Sequence, residues 1–336
     1  MKKRLLACLL FAVTLPAAAQ QKPQYSQYMI NNYLINPAIT GIEDYADVKL
    51  GHRNQWLGVE GAPVTYYVSA HTPLGRSLNV ANPAPALGRR QRFNRYMLAN
   101  NKYKKVKPHH GLGVMALADK IGPFSRTEAY LTYAYHLLLS QDVKLSAGVS
   151  AGMMQYLLNA DELVLARPDD ALTGGTLKAV KPDFAAGLWL YAPDYYLGAS
   201  AGQLLGNTFS FGGDALIDQS KLYSHYFLTG GYKITPGEKF ALIPSVLVKW
   251  VRPAPVSVDV NLRFNYAERL WGGVSWRQSE GFVWLAGATL SHTFDVGYSF
   301  DTGVRGISRM SGGTHEIILG IRLHNRFKVL CPQNMW

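Results

Sequence analysis

The stretch Val256-Ser257-Val258-Asp259-Val260-Asn261-Leu262-Arg263-Phe264-Asn265-Tyr266 alternates without exception. Val256, Val258, Val260, Leu262, Phe264 and Tyr266 form one face, and Ser257, Asp259, Asn261, Arg263 and Asn265 form the other. A helix would mix these two sets, whereas an extended strand separates them onto opposite faces. The same period returns at Val143–Met153, where Val143, Leu145, Ala147, Val149 and Ala151 oppose Lys144, Ser146, Gly148, Ser150 and Gly152. It returns again at Thr293–Asp301, where Phe294, Val296, Tyr298 and Phe300 oppose Asp295, Gly297, Ser299 and Asp301. A last copy sets Ile317, Leu319, Ile321 and Leu323 against Glu316, Gly320, Arg322 and His324.

Segments of about ten residues with one apolar and one polar face are what a barrel needs when its outside meets lipid and its inside is polar. Reading the whole chain this way predicts an all-β fold: a transmembrane antiparallel β-barrel of about 14 strands. They fall near 46–53, 63–73, 110–119, 126–139, 142–157, 181–192, 195–204, 222–233, 239–251, 256–266, 269–278, 281–290, 292–301 and 313–325. An even count places both ends on one side, in the periplasm, with short turns there and longer loops outside. The expected inner turns at Ser140-Gln141, Pro193-Asp194, Pro236-Gly237, Glu268 and Ser291 are brief, and the expected outer loops 158–180, 205–221 and 302–312 are long. Trp56, Tyr66, Tyr67, Tyr195, Tyr196, Trp250, Trp271 and Trp276 cluster at strand ends, as interfacial aromatic girdles do.

The ends of the chain agree with export. Lys2, Lys3 and Arg4 precede an apolar run from Leu5 to Leu15, then Pro16 and Ala17-Ala18-Ala19. This pattern predicts a signal peptide over 1–19, cleaved before Gln20. The run is too short for a membrane-spanning helix, which needs about 20 residues, and none follows it. Residues 20–44 are irregular, rich in Tyr, Asn and Gln, and are expected to fold into the lumen as a plug or to line its periplasmic mouth. The barrel is placed at 45–327 and a C-terminal tail at 328–336. With Cys8 in the signal peptide, Cys331 is the one remaining cysteine, which excludes an internal disulfide and a thiolate metal cluster.

The chain is basic, at +12 from 34 basic and 22 acidic residues. For an exported protein this favours a membrane surface or envelope polymer as partner, and no nucleic acid is expected. Much of the charge lies in one insertion, residues 74–109, which carries Arg76, Arg89, Arg90, Arg92, Arg95, Lys102, Lys104, Lys105 and Lys107 and no acidic residue. Read blandly, it is a solvated run of like charge. Read as a site, Arg89, Arg90, Arg92, Arg95, Lys102, Lys104, Lys105 and Lys107 form a periplasmic docking arm for an acidic partner or anionic lipid.

Catalytic patterns are thin. Gly148-Val149-Ser150-Ala151-Gly152 and Gly198-Ala199-Ser200-Ala201-Gly202 match G-x-S-x-G, but that motif needs a strand-to-helix turn and both serines fall inside alternating strands. Small residues on an inner wall instead make room for a plug or bulky neighbours. His109-His110 is no ligand spacing, and Asp161-Glu162 with Asp169-Asp170 lacks the regular spacing of a calcium loop. No enzyme, metal or cofactor is expected.

Gln24-Tyr25-Ser26-Gln27-Tyr28-Met29 and Asn36-Pro37-Ala38 resemble the opening of the PorP/SprF family of Bacteroidetes envelope proteins. Arg53-Asn54-Gln55-Trp56-Leu57-Gly58, Gly61-Ala62-Pro63-Val64-Thr65 and Ser69-Ala70-His71-Thr72-Pro73-Leu74 are similar to its first hairpin. Ser311-Gly312-Gly313-Thr314-His315-Glu316, Leu319-Gly320 and Cys331-Pro332-Gln333-Asn334-Met335-Trp336 are similar to its last strand and tail. Met335 stands where an aromatic residue is more usual, and the 74–109 insertion is longer than the family's connection. The resemblance implies a role in the type IX secretion system, with periplasmic machine components, a secreted surface protein or adhesin, and outer-membrane lipid as partners, and a link to gliding or attachment. Candidate partner-binding residues at the outer rim are Arg53, Asn54, Gln55, Trp56, Thr314, His315 and Glu316. Arg53 reads equally well as closing a local hydrogen-bond network, and His315 and Glu316 fall on opposite faces. The rival readings are an uptake channel for small molecules and, behind it, a lipid-modifying enzyme.

Overall fold

A computed structural model of the chain describes residues 24–75, 108–140, 142–162, 175–209, 220–237, 239–252, 254–278, 280–303 and 306–325. The expected signal peptide over 1–19, residues 76–107 and the expected C-terminal tail over 328–336 lie outside the described residues, and with them the basic cluster from Arg89 to Lys107.

The alternation becomes strands β1 (Ala46–Asn54), β2 (Val64–Leu74), β3 (His109–Ile121), β4 (Phe124–Leu138), β5 (Lys144–Asn159), β6 (Thr176–Tyr191) and β7 (Tyr195–Gly202). A two-stranded hairpin, β8 (Thr208–Phe209) with β9 (Ser220–Lys221), interrupts the series. It resumes with β10 (His225–Tyr232), β11 (Phe240–Val251), β12 (Ser257–Tyr266), β13 (Leu270–Arg277), β14 (Gly281–Thr289), β15 (Phe294–Gly303) and β16 (Thr314–Leu323). Apart from β8 and β9, each strand pairs antiparallel with its neighbours, and β16 returns to β1 to close a barrel of fourteen strands. Closure removes every free end-to-end edge, the condition for a sheet to sit in lipid.

All fourteen expected strands are present. The largest boundary difference is β6, which starts at Thr176 rather than near 181 because pairing with β5 as far as Asn159 holds a stretch whose two lysines and proline weaken its alternation. The loop 205–221 carries the β8–β9 hairpin, which periodicity does not show over two-residue strands.

The inward parity is polar and the outward parity apolar. Leu131, Leu188, Leu197, Phe264 and Trp284 are exposed on the outer wall, and Asp259, Arg277 and Glu316 are buried on the inner one. Among the described residues no helix is long and apolar enough to cross a membrane. One rim holds the start of β1 and the end of β16 and is called the terminal rim below. Its turns are tight: Leu139 donates to the Val143 carbonyl (2.9 Å), Ala192 to Tyr195 (2.9 Å) and Leu290 to Phe294 (3.0 Å).

The hydrophobic core is inside the barrel and is shared between wall and N-terminal segment. Tyr25, Tyr28, Met29 and Leu34 pack with Tyr67, Leu117, Leu247, Val283, Leu285 and Ile318. Tyr33, Ala38, Ile39 and Ile42 pack with Trp189, Tyr191, Tyr196 and Ile243. A third cluster of Tyr130, Met154, Tyr156 and Leu222 lies under β4, β5 and the β9–β10 connection.

Candidate functional site

The segment from Gln24 to Asp44 runs the length of the lumen, from the rim opposite the termini to the terminal rim. It makes two 3-10 turns, Asn32–Leu34 and Pro37–Ile39, the second started by Asn36, whose side chain accepts from the Ala38 amide. Turns this short leave most backbone groups without partners in the segment itself, and buried backbone groups must be paired. The barrel wall supplies those partners. Arg277 donates to the Tyr25 carbonyl (2.8 Å), Arg263 to Met29 (3.2 Å), Ser200 to Ile35 (2.6 Å), Ser146 to Ala38 (2.6 Å) and His136 to Thr40 (2.9 Å). His109 bonds the Gly41 carbonyl (3.1 Å), and the Gly41 amide donates to His71 Nδ1 (3.2 Å).

Side chains of the segment reciprocate. Tyr28 and Asn261 exchange hydrogen bonds (2.8–3.0 Å), Asn31 donates to Ser69 (3.0 Å), Tyr33 pairs with Thr132 (2.6 Å), and Asn36 donates to the Leu188 (3.1 Å) and Ala199 (3.2 Å) carbonyls. Glycines on the wall let the segment approach. A Cβ on Gly148 would stand 2.5 Å from Ala38, and one on Gly187 would stand 2.0 Å from the Asn36 side-chain oxygen. The serines of the two G-x-S-x-G matches are therefore wall residues facing this segment, Ser200 bonded to it and Ser150 buried two residues beyond Gly148. The first residue of the His109-His110 pair stacks on His136 inside (4.3 Å between centroids), and the second bonds Tyr133 outside (2.6 Å).

Charge concentrates where the segment enters, at the rim opposite the termini. Arg53 bridges Asp301 (3.0 Å) and Glu316 (3.2 Å) and also donates to Ser26 Oγ. The Ser26 amide donates to Glu316 (2.7 Å), its hydroxyl to Asp301 (2.6 Å), and Tyr67 donates to the other Glu316 oxygen (2.9 Å). Arg277 joins the network through Glu280 (3.1 Å) and Asp301 (3.6 Å), and Lys249 pairs with Asp259 (2.9 Å) beside it. A second charged group, Asp47, Lys49, His71, Asp295 and Arg322, lies at the terminal rim, with Arg322 on Asp295 at 2.8 Å.

The rim residues named from the sequence separate by parity. Arg53 and Glu316 are turned inward and almost fully buried, so their partner is the chain's own Ser26. His315 faces outward, against Tyr298 (2.6 Å from its Nδ1) and Phe300, and Asn54 pairs with it across the seam. Thr314 accepts from the Trp56 amide (3.2 Å), and Gln55 donates from its amide to the Pro63 carbonyl (2.9 Å). The two distant motifs meet there: Leu57 donates to Gly313 (2.9 Å) and accepts from Gly312 (2.8 Å). This joins the loop after β1 to the loop before β16, with Leu57 and Met310 exposed on top. Asp301, Ser26 and Arg277 are members of the network that sequence reading did not single out, and Tyr67, expected in the aromatic girdle, is turned inward into it. For the strand residues Tyr67, Arg277 and Asp301 the signal is inward parity near the same rim end of each strand; Ser26, in the luminal segment, carries none.

An apolar outer wall around a closed barrel makes this an integral protein of the outer membrane. Among solved structures it is similar to the Acinetobacter baumannii outer membrane protein Omp33, at 9% identity and a TM-score of 0.46 over 84% of this chain and 100% of that one. It is also similar to a Pseudomonas aeruginosa FadL homologue (10%, 0.45, 90% and 94%) and to the Pseudomonas putida toluene transporter TodX (11%, 0.43, 86% and 91%). No curated protein matches the chain. The family model described as type IX secretion system membrane protein PorP/SprF matches residues 17–321, nearly the whole barrel and its luminal segment, and the chain belongs to that family.

Proposed function

We propose that this barrel works through its surfaces, holding a secreted protein at the cell surface on one rim and docking to periplasmic components of the type IX machine at the other. The observation that carries this reading is the filled lumen. Ser200, Ser146, His136 and Arg277 on the inner wall bond to carbonyls of Gln24–Asp44 from rim to rim, so that segment occupies this path through the lumen. A barrel filled this way acts as a plugged, rigid anchor, and family membership supplies the secretion context.

In this reading the terminal rim faces the periplasm. The basic residues Arg89, Arg90, Arg92, Arg95, Lys102, Lys104, Lys105 and Lys107 engage acidic periplasmic partners or anionic lipid. The joined loops bearing Asn54, Gln55, Trp56, Thr314 and His315 face outward toward the secreted surface protein or adhesin, supported from within by Arg53 and Glu316.

The test is an affinity purification of the tagged barrel from detergent-solubilised envelopes, comparing wild type with a version whose basic residues in 74–109 are neutralised. Co-purification of secretion-machine proteins with wild type, lost in the neutralised version, is the expected result. Recovery of the barrel alone, with ion conductance in planar bilayers, would overturn the reading in favour of an uptake channel.

A further inference from the structure

β6 is twice as long as its neighbour β7, and the difference leaves a sheet edge inside a nominally closed barrel. β6 pairs with β5 over its full length, Thr176 to Tyr191, but with β7 only from Ala186 onward. Among the described residues, the ten residues Thr176–Ala185 thus have a strand partner on one side only. Two of their outward-directed carbonyls are used by the loop after β7: Phe184 accepts from the Leu204 amide (3.1 Å) and Pro182 from the Asn207 side chain (2.6 Å). Because backbone groups alternate in direction along a strand, these two bonds show that even-numbered residues face the free edge. Thr176, Lys178 and Val180 consequently present their N–H and C=O groups to it, and among the described residues none of these groups meets another strand.

The edge is built and bounded. Its inner face is backed by Tyr130, Met154, Tyr156 and Leu222, against which Ala179 packs. Pro182 has no N–H and ends the donor ladder on one side. The six residues Thr176–Lys181 span roughly 20 Å at strand rise, enough for a short ladder. Natural sheets cover, shorten or charge such edges because an unpaired ladder recruits another chain. This one carries Lys178 and Lys181, on opposite faces, and neither has an ion-pair partner among the described residues, while the adjoining Asp161 and Glu162 accept from Gly175 and Asn159. It projects from the rim opposite the termini, the same rim as the joined motif loops.

We infer that the β6 edge from Thr176 to Lys181 is a docking site for an extended, carboxylate-bearing strand of the secreted partner, which adds antiparallel or parallel to β6. Backbone bonds to Thr176, Lys178 and Val180 supply affinity, and Lys178 and Lys181 select acidic side chains flanking the ladder. The inference rests on the reading that this rim holds a secreted protein, and it names the element that does so.

Two measurements on the purified full chain in detergent test it. Hydrogen exchange should find the Lys178 and Val180 amides exchanging at solvent rates while those of Ala179 and Lys181, bonded to β5, are protected. Protection of Lys178 and Val180 in the pure barrel would mean that the chain covers its own edge, and would overturn the inference. A ten-residue peptide of alternating valine and glutamate should bind by fluorescence anisotropy and protect those two amides, with a valine–lysine peptide at least about tenfold weaker. Val180→Pro, which removes an edge-facing N–H and leaves the β5 ladder intact, should weaken binding about tenfold or more, with the heat-modifiable gel mobility of the barrel unchanged. Equal binding by wild type and Val180→Pro would sink the proposal. In cells, deletion of the whole barrel that strips a surface protein, with Val180→Pro retaining it, defeats the edge and spares the anchoring reading; deletion that strips nothing defeats the anchoring reading itself.

Discussion

Arg53 and Glu316 sit opposite each other across the β1–β16 seam and both bind Ser26, so the residues that close the barrel also hold the segment inside it. Both side chains are buried, and a buried pair is costly to break from one side because the remaining charge keeps its desolvation penalty. Arg53→Ala is expected to destabilise the barrel by about 3–5 kcal/mol, with Glu316→Gln costing less because the amide oxygen can still accept from the Ser26 amide while its NH2 donates to the Tyr67 hydroxyl. Heat-modifiable gel mobility across a temperature series reads the barrel, and limited proteolysis near Tyr25 reads the segment. A loss of barrel stability with the segment still protected would contradict the double role.

The wall glycines make a sharper test of the segment alone. A leucine at Gly148 would overlap backbone atoms of Ala38, held by bonds to Ser146 and Asn36, and the Pro37 carbonyl, held by Thr40. Since β5 itself has an ordinary strand at this position, Gly148→Leu should leave the barrel folded and expel the segment. The expected readout is new protease sensitivity between Tyr25 and Thr40, together with ion conductance in planar bilayers that wild type lacks. A silent Gly148→Leu barrel, with the segment still protected, would mean that the lumen has room the wall geometry denies.

How much of this was legible in the sequence follows from what alternation can encode. The run Val256–Tyr266 announces its strand because each residue's environment is set by parity alone, and the same holds for His109 and His110, which part to opposite faces. Residues 20–44 could be recognised as irregular, but the rim-to-rim path of 24–44 could not, since their wall partners lie 30 to 290 positions away and no local period marks them. Arg53 illustrates the limit at a single residue. Its parity with Asp47 and Lys49 already implied an inward face, while its place in a rim motif invited a partner outside; only the register with Glu316 decides between them. The β6 edge was hidden for the opposite reason, because Lys178, Lys181 and Pro182 disguise a strand that pairing with β5 enforces.

Ser200 distinguishes a wall residue from a nucleophile. Its hydroxyl donates to the Ile35 carbonyl, a part-buried bond whose removal takes away that carbonyl's partner on the wall. Ser200→Ala should cost about 1–2 kcal/mol in thermal stability and nothing in any assay of ester hydrolysis by the pure barrel. Hydrolysis present in wild type and abolished by this change would overturn the structural role.

Glu43 gives the luminal segment a pH dependence. It lies just before β1, 3% exposed, and its Oε1 has no hydrogen-bond partner among the described residues. Burial, and then the neighbouring carboxylates Asp47 and Asp44, push its carboxyl from 4.5 up to about 8, against the pull of Lys49 and Arg322. A carboxyl whose folded value is raised favours the folded state fully below its unfolded value, and that contribution drains away as pH climbs through the folded one. Wild type should therefore lose stability between about pH 4.5 and pH 8 through this group, and Glu43→Gln, neutral throughout, should flatten the curve over that window and be the more stable protein above pH 8. Melting midpoints of the two proteins in the same detergent, taken from pH 4 to pH 9, check this. Parallel curves would mean that Glu43 stays ionised in place, with Lys49 and Arg322 outweighing the cost of its burial.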